Sequence, residues 1–539
     1  MKTSSTRPES RTPTSDLTGL VSALQQTEAY PEHPVKIDMV ETHISYVFLT
    51  GKYAYKIKKP LNLGFLDFTS LEQRRVYCQR EVELNRVIEP DAYLGVVAVC
   101  WDGDRYAVEG TGEVVEYAVK MRQLPSEARM DLLLPKGLVT RQQVRRLSEK
   151  LAGFHGRTGA SKEITQVGGR RALAANIVEN FDQTKRYTGV TVSRCAFKDI
   201  QAYSLACLEA FDSLLERRET KGFVRDCHGD VHTRQVFLDD TIHLMDRIEI
   251  AERFRYSDVG QDVAFMAMDL DFHRRSDLAK LFVQHYINKT GDRELPKLLT
   301  FFKCYRAYVR GKVSSFLLDD PSASPELREA SRLSASQYFS LARRYARRSA
   351  PKGIFLMVGP SGTGKSVVAA DLAQCGRARH LMSDRIRKEL AGVPPLERHT
   401  EAAGKGIYSG FFSRRTYEEL LRRAEEALRA KKSVVLDATF LRKSYRMPVY
   451  TLGKQFDVPV WVLWCKAPEE LTRHRLNVRA TEPSISDGTW EVHERQAQQL
   501  EPVHEVPSEQ VIEIDTSGDR EENAATLLKE LYRRQLLAA

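Results

Sequence analysis

None of the eight cysteines forms a C-x-x-C pair, no apolar run is long and charge-free enough to span a bilayer, and no internal repeat links one half of the chain to the other. Each absence excludes something. Scattered cysteines (Cys78, Cys100, Cys195, Cys207, Cys227, Cys304, Cys375, Cys465) argue for reduced, mostly buried thiols over a zinc site or a disulfide framework. Without an apolar run of about 20 residues no membrane helix is expected. The first residues, MKTSSTRPESRTPTSD, lack the apolar core of a secretory signal, and their Ser, Thr, Pro and Arg content predicts a disordered tail over 1–24 and a cytoplasmic protein. A net charge of +10 suits nucleic acid or phosphorylated ligands, but over 539 residues it is modest, and a solvated basic surface accounts for it at least as well.

What is present reads as two segments of different rhythm. Upstream, ISYVFL (44–49) and YAYKIKK (53–59) flank a Gly-Lys turn and predict a β-hairpin; a helix follows over 70–89, strands over 93–101 and 114–122, and largely helical sequence over 140–220. Strands first and helices later make an α+β arrangement. Downstream, GIFLMVG, HLMSD, SVVLDAT, VPVWVLWC and VIEIDT are short apolar runs, each followed by a helical pattern, which predicts a doubly wound α/β domain with a parallel sheet of about five strands. The helical pattern from Pro325 breaks at SAPKG, placing the boundary near 348–352. The expected organisation is a first domain over 25–324, a helical linker over 325–351 and a second domain over 352–539.

The second domain opens with Gly359-Pro-Ser-Gly362-Thr-Gly364-Lys365-Ser366, which fits G-x-x-x-x-G-K-[ST] in the strand-to-helix context that motif needs. Backbone N–H groups around Gly359, Gly362 and Gly364 would cradle nucleotide phosphates, Lys365 would neutralise the charge that moves, and Ser366 would ligate Mg²⁺. In HLMSDRIRKEL, Asp384 ends the second strand and Arg387 lies one helical turn on. A carboxylate there can take a hydroxyl's proton while the guanidinium holds an anion, but an Asp N-cap with a surface Arg has the same spacing. Asp437 is followed by Ala-Thr, without the acidic neighbour that activates water in an ATPase.

With these motifs, 352–539 resembles the P-loop kinases grouped with polynucleotide kinase, zeta-toxin kinase and gluconate kinase. The resemblance implies Asp384 as general base, Arg387 on the acceptor side, Asp437 as the third-strand carboxylate at the substrate, Arg475 and Arg479 of RHRLNVRA as lid arginines over ATP, and Arg446 as an addition to the acceptor side.

Upstream, His228-Gly229-Asp230 is followed sixteen residues later by Asp246, at the end of TIHLMD. One acid to receive the acceptor's proton and another to hold Mg²⁺ are the minimum for phosphoryl transfer in a protein-kinase-like site. This constellation resembles the aminoglycoside phosphotransferases over about 25–345. The resemblance implies Asp230 as base, Asp246 as Mg²⁺ ligand, Asp262 as brace of the catalytic loop, Lys56 as the ATP lysine, Glu81 as its helix partner, and a hinge for adenine at Met121–Leu124. Lys58 shares the strand face of Lys56, so either lysine fits. Two departures stand out: the second metal ligand, an asparagine in the family, is Gln235, and THIS at 42–45 replaces a G-x-G-x-x-G covering loop. Asp269 and Asp271 read as attractors of a cationic acceptor or as a solvated helix face.

The combination resembles bacterial fusions of an aminoglycoside-phosphotransferase-like domain with a P-loop ATP-binding domain. It implies an ATP- and Mg²⁺-dependent phosphotransferase acting on a hydroxyl-bearing small molecule. Alternatives are a 5′-hydroxyl nucleic-acid kinase in the P-loop domain, which is less favoured, and a ligand-sensing pseudokinase at Gln235 that regulates it.

Overall fold

A computed structural model describes residues 17–42, 44–62, 66–321, 323–374, 377–398 and 405–538. The expected tail over 1–16, His43 of the covering stretch and Cys375 lie outside these residues. The tail does not reach residue 24: Thr18–Ala23 is helical, and Leu20 and Leu24 are buried with Tyr30, Phe48 and Tyr55. Two apolar side chains four residues apart share one helix face, and that burial orders the segment.

The chain forms two compact units. One comprises Met1–Tyr187 and Phe211–Tyr345; the other comprises Thr188–Ala210 and Ala346–Ala539.

The first unit opens with an antiparallel sheet of six strands: β1 (Asp38–Glu41), β2 (Ser45–Leu49), β3 (Tyr53–Lys58), β4 (Tyr93–Trp101), β5 (Tyr106–Val108) and β6 (Glu113–Arg122), in the order β1-β2-β3-β6-β4-β5. The hairpin turns at Gly51, whose φ of 88° suits a residue without Cβ. Lys56 lies opposite Val47 of β2 and Val119 of β6, so it sits inside the sheet and not at an edge. Alternation puts Lys58 on the same face. The helix Leu71–Arg86, capped by Ser70, buries Arg74, Cys78, Glu81, Val82 and Asn85, a spacing that follows one helical stripe. The rest of the unit is largely helical, with two short pairs, β7 (Val224–Asp226) with β10 (Tyr256–Asp258) and β8 (Val236–Leu238) with β9 (Ile242–Leu244), framing the loops that carry its acids.

The second unit has a five-stranded parallel sheet, β11 (Ile354–Val358), β12 (Arg379–Met382), β13 (Val434–Asp437), β14 (Val460–Lys466) and β15 (Val511–Asp515), ordered β12-β13-β11-β14-β15. Both faces are covered, which explains the unbroken apolar runs. Ile354, Leu356 and Val358 enter one core with Leu436 and Val462, while Phe355 and Met357 enter the other with Val435, Leu463, Leu527 and Leu531. The helix Arg194–Ala210 packs in this unit against the helix Arg520–Ala538, through a Tyr203–Tyr532 edge contact and a Lys529–Glu209 ion pair.

Among the described residues no helix is long and apolar enough to cross a membrane. Cys78, Cys100, Cys207, Cys227, Cys304 and Cys465 are free and buried, as expected, whereas Cys195 departs from that expectation and is disulfide-bonded.

Candidate functional site

In the second unit the phosphate-loop sequence joins β11 to the helix Lys365–Ala373. Gly359 and Gly364 have φ of 139° and 82°, and a Cβ at Gly364 would lie 2.9 Å from Thr516 Oγ1, so both positions need glycine. Lys365 is buried and its ammonium donates to the Pro360 carbonyl at 2.5 Å; burial lowers its pKa, although Asp437 and Asp384 oppose that shift. Ser366 donates to Asp437 Oδ1 at 3.2 Å, and His380 meets Asp437 Oδ2 at 3.0 Å. Asp437 therefore stands beside the loop. The oxygen pair Ser366 and Asp437 has the hard-ligand chemistry that Mg²⁺ prefers.

Asp384 lies in the first turn of the helix Ser383–Ala391, whose N-cap is Met382, so the capping alternative is not what its carboxylate does. Burial raises its pKa, with Asp437 and Asp487 adding to the shift while Ser486 and Arg387 counter it. Arg387 is buried on the same helix; its Nη1 donates to the Ile407 carbonyl at 2.9 Å and to Ser413 Oγ at 3.2 Å, and its guanidinium lies over the Tyr408 ring. Its Nε is buried with no hydrogen-bond partner among the described residues, a donor whose desolvation is uncompensated until an acceptor arrives.

On the helix Glu469–Thr481, Arg475 donates to Thr516 Oγ1 at 2.9 Å and to the Thr516 carbonyl at 2.6 Å. Arg479 feels the charges of Asp384 and Asp437, though burial is the larger influence and lowers its pKa.

Arg446 is not part of this group. It is fully buried and donates to the carbonyls of Phe440, Leu441, Glu501 and Pro502 and to Glu505 Oε1 at 2.7 Å, which makes it a clamp between chain segments and corrects its expected acceptor role. Sequence reading missed Asp487, which accepts from Lys388 Nζ at 3.2 Å and Tyr408 at 2.6 Å. Those partners lie 99 and 79 residues away, and no local pattern marks the contact.

In the first unit, both lysines of β3 bind Glu81. Lys56 donates to Glu81 Oε1 at 2.9 Å and to Asp246 Oδ1 at 2.7 Å; Lys58 donates to Glu81 Oε2 at 2.7 Å and to Glu249 Oε1 at 2.5 Å. Lys58 is fully buried, whereas Lys56 faces Asp246, whose side chain is 41% exposed, so Lys56 is the lysine open to a ligand. Glu249 was not singled out from sequence. Its only local sign is a carboxylate three residues after Asp246.

Asp246 holds a φ of 65°, a conformation that non-glycine residues rarely adopt and that aims its carboxylate at Lys56 and Gln235. Gln235 Nε2 donates to Asp246 Oδ2 at 3.2 Å and to Asp230 Oδ2 at 3.3 Å. Its amide thus bridges the two acids, and half a turn about its last torsion would present oxygen in place of nitrogen to a cation. His232 Nε2 also lies 3.2 Å from Asp230. Burial pushes the Asp230 pKa up, but His232, Arg310 and Gln235 outweigh it and hold the carboxyl well below the usual range.

Asp262 accepts the backbone N–H groups of His228 at 2.8 Å and Gly229 at 3.0 Å and pairs with His155 at 3.1 Å, which fixes the loop carrying Asp230. His155, Cys227 and Asp262 could in principle surround a metal, but these bonds already occupy the Asp262 oxygens. Met121 and Leu124, expected at a hinge, are buried with Tyr93 and Met245. Asp269 and Asp271 are buried, so they form no solvated helix face: Asp269 accepts from Thr233 and Tyr338, and Asp271 pairs with Lys303 and accepts from Tyr345, all inside the unit.

Residues 354–503 match the model of the AAA domain family. An uncharacterised protein of Mycobacterium tuberculosis (strain ATCC 25618 / H37Rv) is 29% identical over 496 residues, covering 91% of this chain and 95% of the relative. Among solved structures, a gluconokinase from Sinorhizobium meliloti 1021 is similar at 22% identity over 34% of this chain and 92% of its own, with a TM-score of 0.24. A choline/ethanolamine kinase family protein from Mesorhizobium loti is similar at 11% identity over 61% of this chain and 100% of its own, with a TM-score of 0.37. The chain thus joins an α+β unit built on a six-stranded antiparallel sheet to an α/β unit whose five-stranded parallel sheet carries the phosphate loop, and the stretch 354–503 of the latter is similar to the AAA domain.

Proposed function

We propose that the second unit is an ATP-dependent kinase that passes the γ-phosphate to a hydroxyl of a small, anion-bearing metabolite. The observation that carries this reading is Asp384, a half-buried carboxylate with a raised pKa in electrostatic reach of Lys365, beside a buried Arg387 whose Nε awaits an acceptor. A base with a raised pKa takes up a hydroxyl proton more readily. As the acceptor oxygen forms its bond to the γ-phosphorus, the bond from phosphorus to the β–γ bridging oxygen breaks, and the hydroxyl proton passes to Asp384. Arg387 orients the acceptor through its anionic group. Lys365 and Arg479 stabilise the charge that accumulates on the transferred group and on ADP. A Mg²⁺ held by Ser366 and Asp437 would neutralise phosphate charge.

For the first unit the bridge from Gln235 to Asp230 and Asp246 favours a second reading, a ligand-binding module with weak or no turnover. The amide and Lys56 together satisfy the acids that a phosphotransferase needs free.

The test is transfer from γ-labelled ATP to a panel of sugars, sugar acids, nucleosides, aminoglycosides and 5′-hydroxyl oligonucleotides, run on wild type, Asp384→Asn, Lys365→Ala and Asp230→Ala. Product lost in Asp384→Asn and Lys365→Ala but kept in Asp230→Ala supports a kinase in the second unit. Product lost only in Asp230→Ala moves the activity to the first unit. Hydrolysis without transfer to any acceptor overturns the kinase reading.

A further inference from the structure

A cavity of about 650 Å³ opens from Gly362 and Gly364 of the phosphate loop and is walled by Arg475, Arg479 and Thr516. It falls within the size range of ligand pockets, roughly 300–1,000 Å³. Its far wall belongs to neither the P-loop strands nor their crossover helices. It is the Arg194–Ala210 helix, a segment from the middle of the chain that joins this unit while both its flanks, Tyr187 and Phe211, belong to the other. Lys198, Gln201, Ala202 and Leu205 line the cavity, an i, i+3, i+4, i+7 set that marks one face of a helix.

Neither Asp384 nor Arg387 nor Asp437 lines this cavity, so it is distinct from the acceptor group, with Arg479 between the two. With phosphates on the loop and the γ-phosphate directed toward Asp384, a nucleoside would extend into this cavity, which opens from the loop glycines. The inference rests on the kinase reading of the second unit to that extent. The walls suit a planar base: Ala202 and Leu205 on one helix, Val368 and Val478 on others, are apolar. Gln201 is half-buried at the cavity, and its amide makes no hydrogen bond among the described residues. Arg377 fixes the helix by an ion pair with buried Asp199 at 2.8 Å, and its own Nη2 is a buried donor without a partner among the described residues.

We infer that the Arg194–Ala210 helix is the base-recognition wall of the second unit's nucleotide site, and that Gln201 selects adenine. A carboxamide offers one donor and one acceptor in a plane, which matches the paired acceptor and donor of adenine N7 and N6 and mismatches guanine, whose same edge presents two acceptors. The specificity determinant would then lie outside the 354–503 stretch that the AAA domain model matches.

The experiment is calorimetric titration of the full chain with the β,γ-imido analogues of ATP and GTP and with inorganic tripolyphosphate. Lys56→Met is present throughout, to silence the first unit. Gln201→Ala is expected to weaken the ATP analogue five- to ten-fold, the loss of one or two hydrogen bonds, and to reduce the preference over the GTP analogue by the same factor. Tripolyphosphate binding and the melting midpoint should not move. Gln201→Glu, which keeps the size but loses the donor, should show the same loss of preference. Unchanged selectivity in both variants overturns the inference, and so does a loss of tripolyphosphate binding in step with nucleotide, which would mean that the helix only supports the fold. If the parent binds none of the three ligands, and adding Lys365→Ala changes nothing, the nucleotide reading fails first and takes this one with it.

Discussion

Lys56 and Lys58 occupy the same strand face and share Glu81, yet substituting them should have opposite consequences. Lys58 and Glu81 are fully buried and Glu249 is 6% exposed. Replacing Lys58 by Met leaves Glu249 without its cation and Glu81 with only Lys56. Breaking a buried pair from one side costs about 3–5 kcal/mol, because the remaining charge stays desolvated. Lys56→Met is milder: Glu81 keeps Lys58, and Asp246, 41% exposed, is rescued by water. That cost should be about 1 kcal/mol. At about 2–4 °C per kcal/mol for a domain of this size, Lys58→Met should lower the first unit's melting midpoint by on the order of 10 °C and Lys56→Met by only about 2–4 °C. Nucleotide-dependent stabilisation of that unit should show the reverse order, lost in Lys56→Met and kept in Lys58→Met at temperatures where it is folded. The assay is differential scanning calorimetry of the full chain with and without MgATP, with Lys365→Ala present to remove the second unit's contribution. Equal destabilisation by the two substitutions, or loss of the nucleotide response only in Lys58→Met, would refute the division of roles.

Asp487→Asn should lower the Asp384 pKa, since it removes a negative neighbour. Turnover at the second unit requires ionised Asp384 and falls as pH drops through its raised pKa, so the acid limb of the pH–rate profile should move to lower pH in this variant; an unmoved limb would exclude Asp384 as the base. Arg446→Met should destabilise the second unit by about 3–5 kcal/mol in denaturant melts, through buried Glu505 and the carbonyls of Phe440, Glu501 and Pro502 that lose their donor, and leave the KM for the acceptor unchanged; a KM effect without a stability loss would restore its acceptor role. Gln235→Asn shortens the amide by one methylene and should weaken its bridge to Asp230 and Asp246; if that bridge restrains the first unit, Mg²⁺-dependent nucleotide binding there should tighten several-fold by calorimetry.

Much of this arrangement was legible in the sequence because its signals are local. Continuous apolar runs gave the five parallel strands, since a strand buried on both faces has no polar side. Alternation gave the β2–β3 hairpin and put Lys56 and Lys58 on one face. The phosphate loop is read from glycine positions that the backbone itself requires, as at Gly364. The roles left open were those that depend on what lies across space. Sequence alone could not choose between Lys56 and Lys58, because the choice is made by Asp246 and Glu249, 190 and 191 residues away. It placed Arg446 near an acceptor because an arginine's charge is visible and its burial is not. It read Asp269 and Asp271 as ligand attractors or surface charges, when Thr233, Tyr338, Lys303 and Tyr345 enclose them. It gave no hint that the Arg194–Ala210 helix joins the second unit, since an amphipathic pattern shows that a helix buries one face and not which partner covers it. Local geometry and hydrophobic period are written into neighbouring residues, so the chain alone determined its two folds and its phosphate loop. Pairing of buried charges, and the wall of the cavity beside that loop, depend on contacts between distant segments, and only the tertiary structure decided them.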